Sequence, residues 1–182
     1  MTEPLVEVAQ VKVWDLFVRL YHWSQAVLIA AAWITAGEVK WLHERIGYAI
    51  MALVALRILW GFLGPRHARF TDFVRGPRVV LTYLGDLLRG RERRYLGHNP
   101  AGGAMIIALL TAILGTAMTG WLLTTDAWFG SDGMAELHES LADLILILVA
   151  AHVAGVIFES LRHRENLVRS MITGRKRATR PE

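Results

Sequence analysis

Cysteine is absent from this chain. Its absence excludes disulfides, iron–sulfur clusters held by thiolates, zinc–thiolate sites and covalent haem of the C-x-x-C-H type. Any bound redox centre must therefore take His, Met or carboxylate ligands. Internal repeats are lacking, and so are low-complexity segments beyond charge runs such as RGRERR at 89–94. Charge disappears where hydrophobicity runs long: Ala104 to Leu123 holds no titratable side chain at all.

What is present is apolar. The chain has 182 residues, 54% of them hydrophobic, and a mean hydropathy of +0.36. Soluble domains hold about 45–50% apolar residues even with Gly counted. Seven Trp suit a protein that sets aromatic rings at the edges of a bilayer. The net charge of +4 does not point to nucleic acid, because the basic residues flank apolar runs and so orient a membrane protein.

The expected fold class is all-α: an integral membrane four-helix bundle, one membrane domain over 1–182, with an extra cytoplasmic surface helix. Four runs, approximately 16–37, 42–63, 104–124 and 137–161, approach or exceed the roughly 20 residues that span a hydrocarbon core of about 30 Å. Residues 1–13 are expected to be extended or loosely ordered, and Asp15 opens the first helix. Its apolar part is longer than a signal-peptide core and no small-residue cleavage site follows, so it reads as a retained span. Between the second and third runs, Val79, Val80, Tyr83, Leu84, Leu87 and Leu88 form one apolar stripe between basic ends. That pattern predicts a helix over 77–89 lying flat at the membrane surface. In the third run Thr111, Gly115 and Thr119 recur every four positions, a stripe that lets helices pack closely.

Eight Arg lie in 65–103 and seven Lys or Arg in 162–182, while Lys12 and Arg19 precede the first core. The other two connections hold only Lys40 and Arg45, among acids. By the positive-inside rule both termini and the middle segment are cytoplasmic.

Four histidines then fall at two depths. His138 and His152 are fourteen residues apart on the fourth run, which is about 21 Å of rise and about 40° short of four full turns. They share one face. The topology sets His22 level with His152 near the cytoplasmic side, and His43 level with His138 near the outer side. Arg57 is fourteen residues after His43 and should lie near the depth of His152, where a haem propionate is a natural partner for a charge inside a membrane. Gly47 and Gly155 fall beside ligand candidates, where a missing side chain lets a porphyrin approach or serves packing. Glu139 and Asp143 are expected at the outer aqueous edge. His67, His98 and His163 sit among Arg residues and are expected to be solvated or headgroup-facing.

Paired imidazoles from two helices, with no carboxylate cluster at their level, suit axial ligation of a flat macrocycle in an apolar slot. A zinc or di-iron site calls for more ligands, typically with Glu-x-x-His patterns on facing helices. The metal ligands expected are thus His22 with His152 for an inner haem iron and His43 with His138 for an outer one.

The stretches VWDLFVRLYHW, LHERIGY, LRILWGFLGP, RFTDFVRGP, GHNPAGGAM and LHESLAD followed by AHVAGV together resemble the bacterial cytochrome b561 family. That family includes the b-type cytochrome subunit of nickel-iron hydrogenases. The resemblance covers about residues 11–172. It implies a four-helix bundle with two non-covalent haem b groups, in the inner membrane, on the same two His pairs. It further implies electron transfer across that membrane between a quinone pool and a periplasmic partner such as a c-type cytochrome. A quinone would meet the inner site near Arg57, Trp60 and the Phe70–Phe73 segment. The acidic 124–136 connection faces outward, either to dock a basic partner or through simple depletion of positive charge. The alternatives are a superoxide:quinone oxidoreductase, a hydrogenase anchor (which would be longer), and a haem-free transporter relaying protons. The partners implied are lipid, quinone and a periplasmic electron-transfer protein, with no nucleic acid. A homo-oligomer or larger complex has room against the third helix.

Overall fold

A computed structural model describes residues 9–178. The chain is mostly helical, and side chains read directly from the sequence start and stop its helices. Asp15 caps α1 (Leu16–Thr35) by accepting the Val18 N–H at 3.1 Å. Gly64 and Pro65 end α2 (Lys40–Leu63). The Arg66–Ala68 3₁₀ turn and α3 (Phe70–Phe73) follow, and α4 (Pro77–Leu88) begins with Pro in its first turn. Asn99 caps α5 (Pro100–Leu122), and Ser131 caps α6 (Asp132–Arg162). Each cap satisfies an N–H that the helix itself leaves unpaired.

Three helices, α2, α5 and α6, are long and apolar enough to cross a membrane. The fourth long helix, α1, has 20 residues and carries Arg19, His22, Ser24 and Gln25 in its first half, which lowers its hydropathy. The long helices start earlier than their apolar runs suggest. α5 begins at Pro100 rather than 104 and α6 at Asp132 rather than 137, because capping, not hydrophobicity, sets a helix start.

The core is narrow. Ile46, Ile50 and Val54, one per turn on α2, meet Leu110, Ala112 and Ile113 of α5 and Ile145 of α6. Arg57 and Gly61 continue the same buried stripe of α2. Elsewhere the long helices turn large apolar side chains outward, such as Leu63, Ile147 and Ile34. A helix apolar on all sides is made for hydrocarbon rather than water. Gly115 lets α5 approach α6, since a Cβ there would stand 3.3 Å from Leu141.

One element departs from the all-helical expectation. Residues Gln10–Lys12, expected to be extended or loosely ordered, form β1, which pairs antiparallel with β2 (Arg175–Arg177). The hinge is Gly174, just after α7 (Leu167–Thr173), with φ of +78°. Its carbonyl accepts the N–H groups of Val13 and Trp14 at 2.9 and 3.1 Å. A Cβ at Gly174 would lie 2.6 Å from the Trp14 carbonyl oxygen. The start and end of the bundle are thereby tied together at one end.

Candidate functional site

The four histidines of α1, α2 and α6 meet in two pairs. The ring centroids of His43 (α2) and His138 (α6) are 6.1 Å apart. Those of His22 (α1) and His152 (α6) are 6.3 Å apart. Two imidazoles bonded to one metal on opposite sides, at about 2.0 Å per bond and with each nitrogen about 1.15 Å from its ring centre, have centroids about 6.3 Å apart. Both pairs thus stand at the spacing of axial ligands. Among the described residues, no group of three or more His, Asp or Glu side chains gathers as a metal cage. The donor set is two imidazoles per site, which fits haem b rather than a tetrahedral ion.

At the first pair the rings are oriented by backbone. His43 Nδ1 lies 2.9 Å from the Ala32 carbonyl of α1, and His138 Nδ1 lies 2.9 Å from the Thr116 carbonyl of α5. Donation from each Nδ1–H leaves Nε2 as the free lone pair, the tautomer a ligating imidazole needs. Thr119 Oγ1, whose own hydrogen is turned to α5 carbonyls, lies 3.2 Å from the same His138 nitrogen. Gly120 leaves space for the ring: a Cβ there would sit 2.9 Å from His138 Cε1. Clefts open on both sides of the pair, and Gly47 lines both with Thr116 and Ala117. A Cβ at Gly47 would meet nothing within 4 Å. Both imidazoles and Gly47 thus border open space beside the ring pair.

The second pair is held differently. His22 Nδ1 is buried without a protein partner, as are both amide atoms of Gln25, one turn further along α1. Gly155, one turn past His152, would also meet nothing with a Cβ added. Arg57 is buried at 4% exposure, but most of its fork is turned to the 66–70 segment. Its Nη2 donates to the Ala68 carbonyl at 3.1 Å, and its guanidinium lies 5.3 Å from the Phe70 ring centre. Nη1 has no protein partner, leaving one buried donor to spend on an anion. The neighbouring Trp60 Nε1 is likewise buried and unpartnered.

The three loop histidines are not simply solvated. The 64–99 segment folds back over the end of the bundle, burying Ala68 and Phe73 almost completely. His67 Nδ1 pairs with Asp72 Oδ2 at 3.0 Å. Burial pulls the Asp72 carboxyl up, but the bonds from His67 and Arg66 outweigh it and hold the group below its usual range. The His98 ring packs between Trp14 and Phe73, at 4.5 and 4.9 Å between centroids, with Nδ1 shut away from solvent. Burial, with Lys176 nearby, pushes that imidazole far below its ordinary value. His163 Nε2 stands 3.2 Å from Glu159 Oε2.

Sequence reasoning named the four ring-bearing positions but missed what orients them: Ala32, Thr116, Thr119 and Gly120. The Thr111/Gly115/Thr119 stripe was the available signal. It reads as helix packing, and Gly115 serves that purpose, yet Thr119 and Gly120 serve the imidazole of α6.

The family model of prokaryotic cytochrome b561 matches residues 13–174. Similar proteins include the probable Ni/Fe-hydrogenase B-type cytochrome subunit of Rhizobium leguminosarum bv. viciae, 24% identical over 96% of this chain and 92% of that protein. The protein of the same description from Rhodobacter capsulatus is 24% identical over 91% of this chain and 81% of its own length. That from Cupriavidus necator is 24% identical over 89% and 85%. No solved structure matches.

Proposed function

We propose, from the premise that this chain belongs to the prokaryotic cytochrome b561 family, that it is a two-haem b-type electron carrier. It would work across the cytoplasmic membrane, between a quinone pool and a periplasmic redox partner such as a c-type cytochrome. Family membership makes it a membrane b-type cytochrome that carries electrons. The observation that carries the finer reading is the pair of imidazole–imidazole spacings, 6.1 and 6.3 Å, on one shared helix face.

In this reading α1 spans the bilayer beside α2, α5 and α6, and α4 lies along the cytoplasmic surface. The Arg-rich 65–103 segment and the basic chain after α6 set both termini inside. His43 and His138 then hold the outer haem, and His22 and His152 the inner one. Bound at those positions, haem b supplies one-electron redox chemistry. The chain supplies the rest. Ala32 and Thr116 fix the outer imidazoles, Gly47 and Gly120 keep space beside them, and the apolar helices exclude water. Arg57 Nη1 is the donor available to a propionate of the inner group. The Arg57, Trp60 and Phe70–Phe73 corner, with two buried donors unpaired, suits a quinone headgroup.

A second reading takes the periplasmic partner to be a nickel-iron hydrogenase, as the names of the relatives suggest. The alignment with the Rhizobium protein runs over 220 positions against the 182 residues here, so that relative carries segments within the matched range that this chain lacks. Those missing segments weigh toward a smaller partner.

A reduced-minus-oxidised spectrum of the purified protein should show a b-type α band, and pyridine hemochrome should give two haems per chain. His152→Ala and His43→Ala should each remove one haem, from different sites. An absent α band, or unchanged haem content in His152→Ala, overturns the reading. Reoxidation of the reduced protein by an added c-type cytochrome or by quinone, and its reduction by superoxide, separates the carrier from an oxidoreductase acting on superoxide.

A further inference from the structure

Three carboxylates lie where α4, the 89–99 segment and the end of α6 meet. Glu165 accepts from Arg94 at 2.9 Å, and Glu92 accepts from Arg162 at 2.6 Å. A guanidinium never gives up its proton in a protein, so these two pairs are fixed ionic ties. The third, Glu159, is largely buried and is bonded by no guanidinium or ammonium group among the described residues. Its Oε1 accepts from the Tyr83 hydroxyl at 2.8 Å and from Asn99 Nδ2 at 3.0 Å. Its Oε2 lies 3.2 Å from His163 Nε2, close enough for an ion pair, although that buried nitrogen is not aligned on it for a hydrogen bond. Among the described residues, the one basic side chain in contact with it is therefore an imidazole, the side-chain type that gains and loses a proton near neutral pH. The ammonium of Lys176, on β2, acts on it only across space.

Glu159 also lies on the ligand-bearing face of α6. Seven residues separate it from His152, which is about 10 Å of rise and about 20° short of two turns. A titratable carboxylate thus stands between the inner site and the polar end of the bundle, with a second titratable group behind it. Asn99 joins this cluster to His98, whose buried ring packs on Phe73 of the segment that flanks Arg57.

We propose that Glu159, with His163 behind it, is the proton-exchange group for a quinone bound at the inner site. This rests on the quinone reading given above. Reduction of a quinone to a quinol takes two electrons, which the b-type centre delivers one at a time, and two protons, which must come from water on the cytoplasmic side. Each proton enters on the His163 imidazole, passes to the Glu159 carboxylate and leaves it for a quinone oxygen. Quinol oxidation runs the same transfers in reverse, with both electrons going to the b-type centre. Tyr83 and Asn99 orient the carboxylate.

The test uses the full chain, purified with its haem, and a short-chain ubiquinol as reductant, followed at the α band by stopped flow. Glu159→Gln should slow haem reduction about tenfold or more at pH 7. It should also flatten the pH dependence of the rate, while haem content and reduction by dithionite stay as in the wild type. Glu159→Asp should restore part of the rate. Tyr83→Phe removes one donor to the carboxylate and should shift the pH profile of the rate. That shift is not expected of a hydroxyl that only packs, and it keeps the test alive if Glu159→Gln loses haem. A Glu159→Gln protein with wild-type rate and pH profile overturns the proton assignment and leaves the quinone reading intact. A wild-type protein that ubiquinol does not reduce overturns both.

Discussion

Gly120→Ala is the smallest change that should empty one metal site and spare the other. The added Cβ would sit 2.9 Å from His138 Cε1 and 3.3 Å from Nδ1. Carbon atoms settle at about 3.5–4.0 Å, so the ring must retreat by about 0.6 Å or more. Metal–ligand distances hold within about 0.2 Å, so the bond cannot absorb that retreat. The retreat also stretches the 2.9 Å contact from His138 Nδ1 to the Thr116 carbonyl. Loss of a partner that orients a ligand typically costs about 10–100-fold in metal affinity. The helix itself should gain, since Ala is favoured over Gly in a helix interior by about 0.5–1 kcal/mol. A loss of haem therefore cannot be put down to a weakened α5. Pyridine hemochrome should fall from two haems per chain toward one, and a redox titration should lose one of its two components. Gly133→Ala, where a Cβ meets nothing within 4 Å, is the matched control. Two haems retained in Gly120→Ala, with both components unshifted, would refute the placement of His138 as a ligand.

Thr119→Val keeps the ring's space but removes the oxygen 3.2 Å from His138 Nδ1. It should shift the potential of the outer component with little loss of haem, as read by the same titration. Gly174→Ala places a Cβ against the Trp14 carbonyl at a backbone angle that L-residues disfavour. It should destabilise the β1–β2 tie by about 1–2 kcal/mol, seen as a lower Tm and faster proteolysis of the termini. Asp72 has a folded-state pKa below its unfolded value, so its stabilisation is complete above about pH 4 and is lost as pH falls through the lowered value. Asp72→Asn should therefore destabilise the 64–76 segment at pH 7, by limited proteolysis, and match the wild type in strong acid.

The pairing of the histidines was legible because helix rise and charge asymmetry give an expected level for each without any knowledge of side-chain packing. That is why His22 with His152 and His43 with His138 emerge from spacing alone, at the positions where the rings meet. What sits beside them was not legible. Thr116 and Gly120 precede His138 by 22 and 18 residues, and nothing in their own neighbourhood marks them as anything but packing. His98 misleads for the opposite reason. Its neighbours in sequence are polar and basic, yet Trp14 and Phe73 arrive from far along the chain to enclose it. Arg57 was expected near the level of His152, and its tie to the Ala68 carbonyl depends on a loop whose path no periodicity reports. The β1–β2 ribbon is three residues a side and has no alternating pattern, so only the tertiary pairing defines it.

The two sites differ in how much of their geometry the polypeptide sets by itself. In an α-helix each carbonyl points toward the residue four positions on, so a side chain at 120 would cover the Thr116 oxygen from the side. Gly120 uncovers it, and His138 takes the exposed lone pair. Likewise Ala32 lies in the last turn of α1, and its carbonyl, reached also by the Thr35 hydroxyl at 3.2 Å, stands 2.9 Å from His43 Nδ1. The His43–His138 pair therefore joins α1 to α2 and α5 to α6 through hydrogen bonds whose acceptors are rigid backbone. The His22–His152 pair has no such tether on His22, and its surroundings leave Gln25, Arg57 Nη1 and Trp60 Nε1 unpaired in a buried place. Buried donors without partners cost about 1–3 kcal/mol each, so this end of the bundle is organised to gain when polar groups enter it. Rigid imidazoles at one end and waiting donors at the other are what a carrier needs if its outer end only passes electrons while its inner end must also hold a quinone.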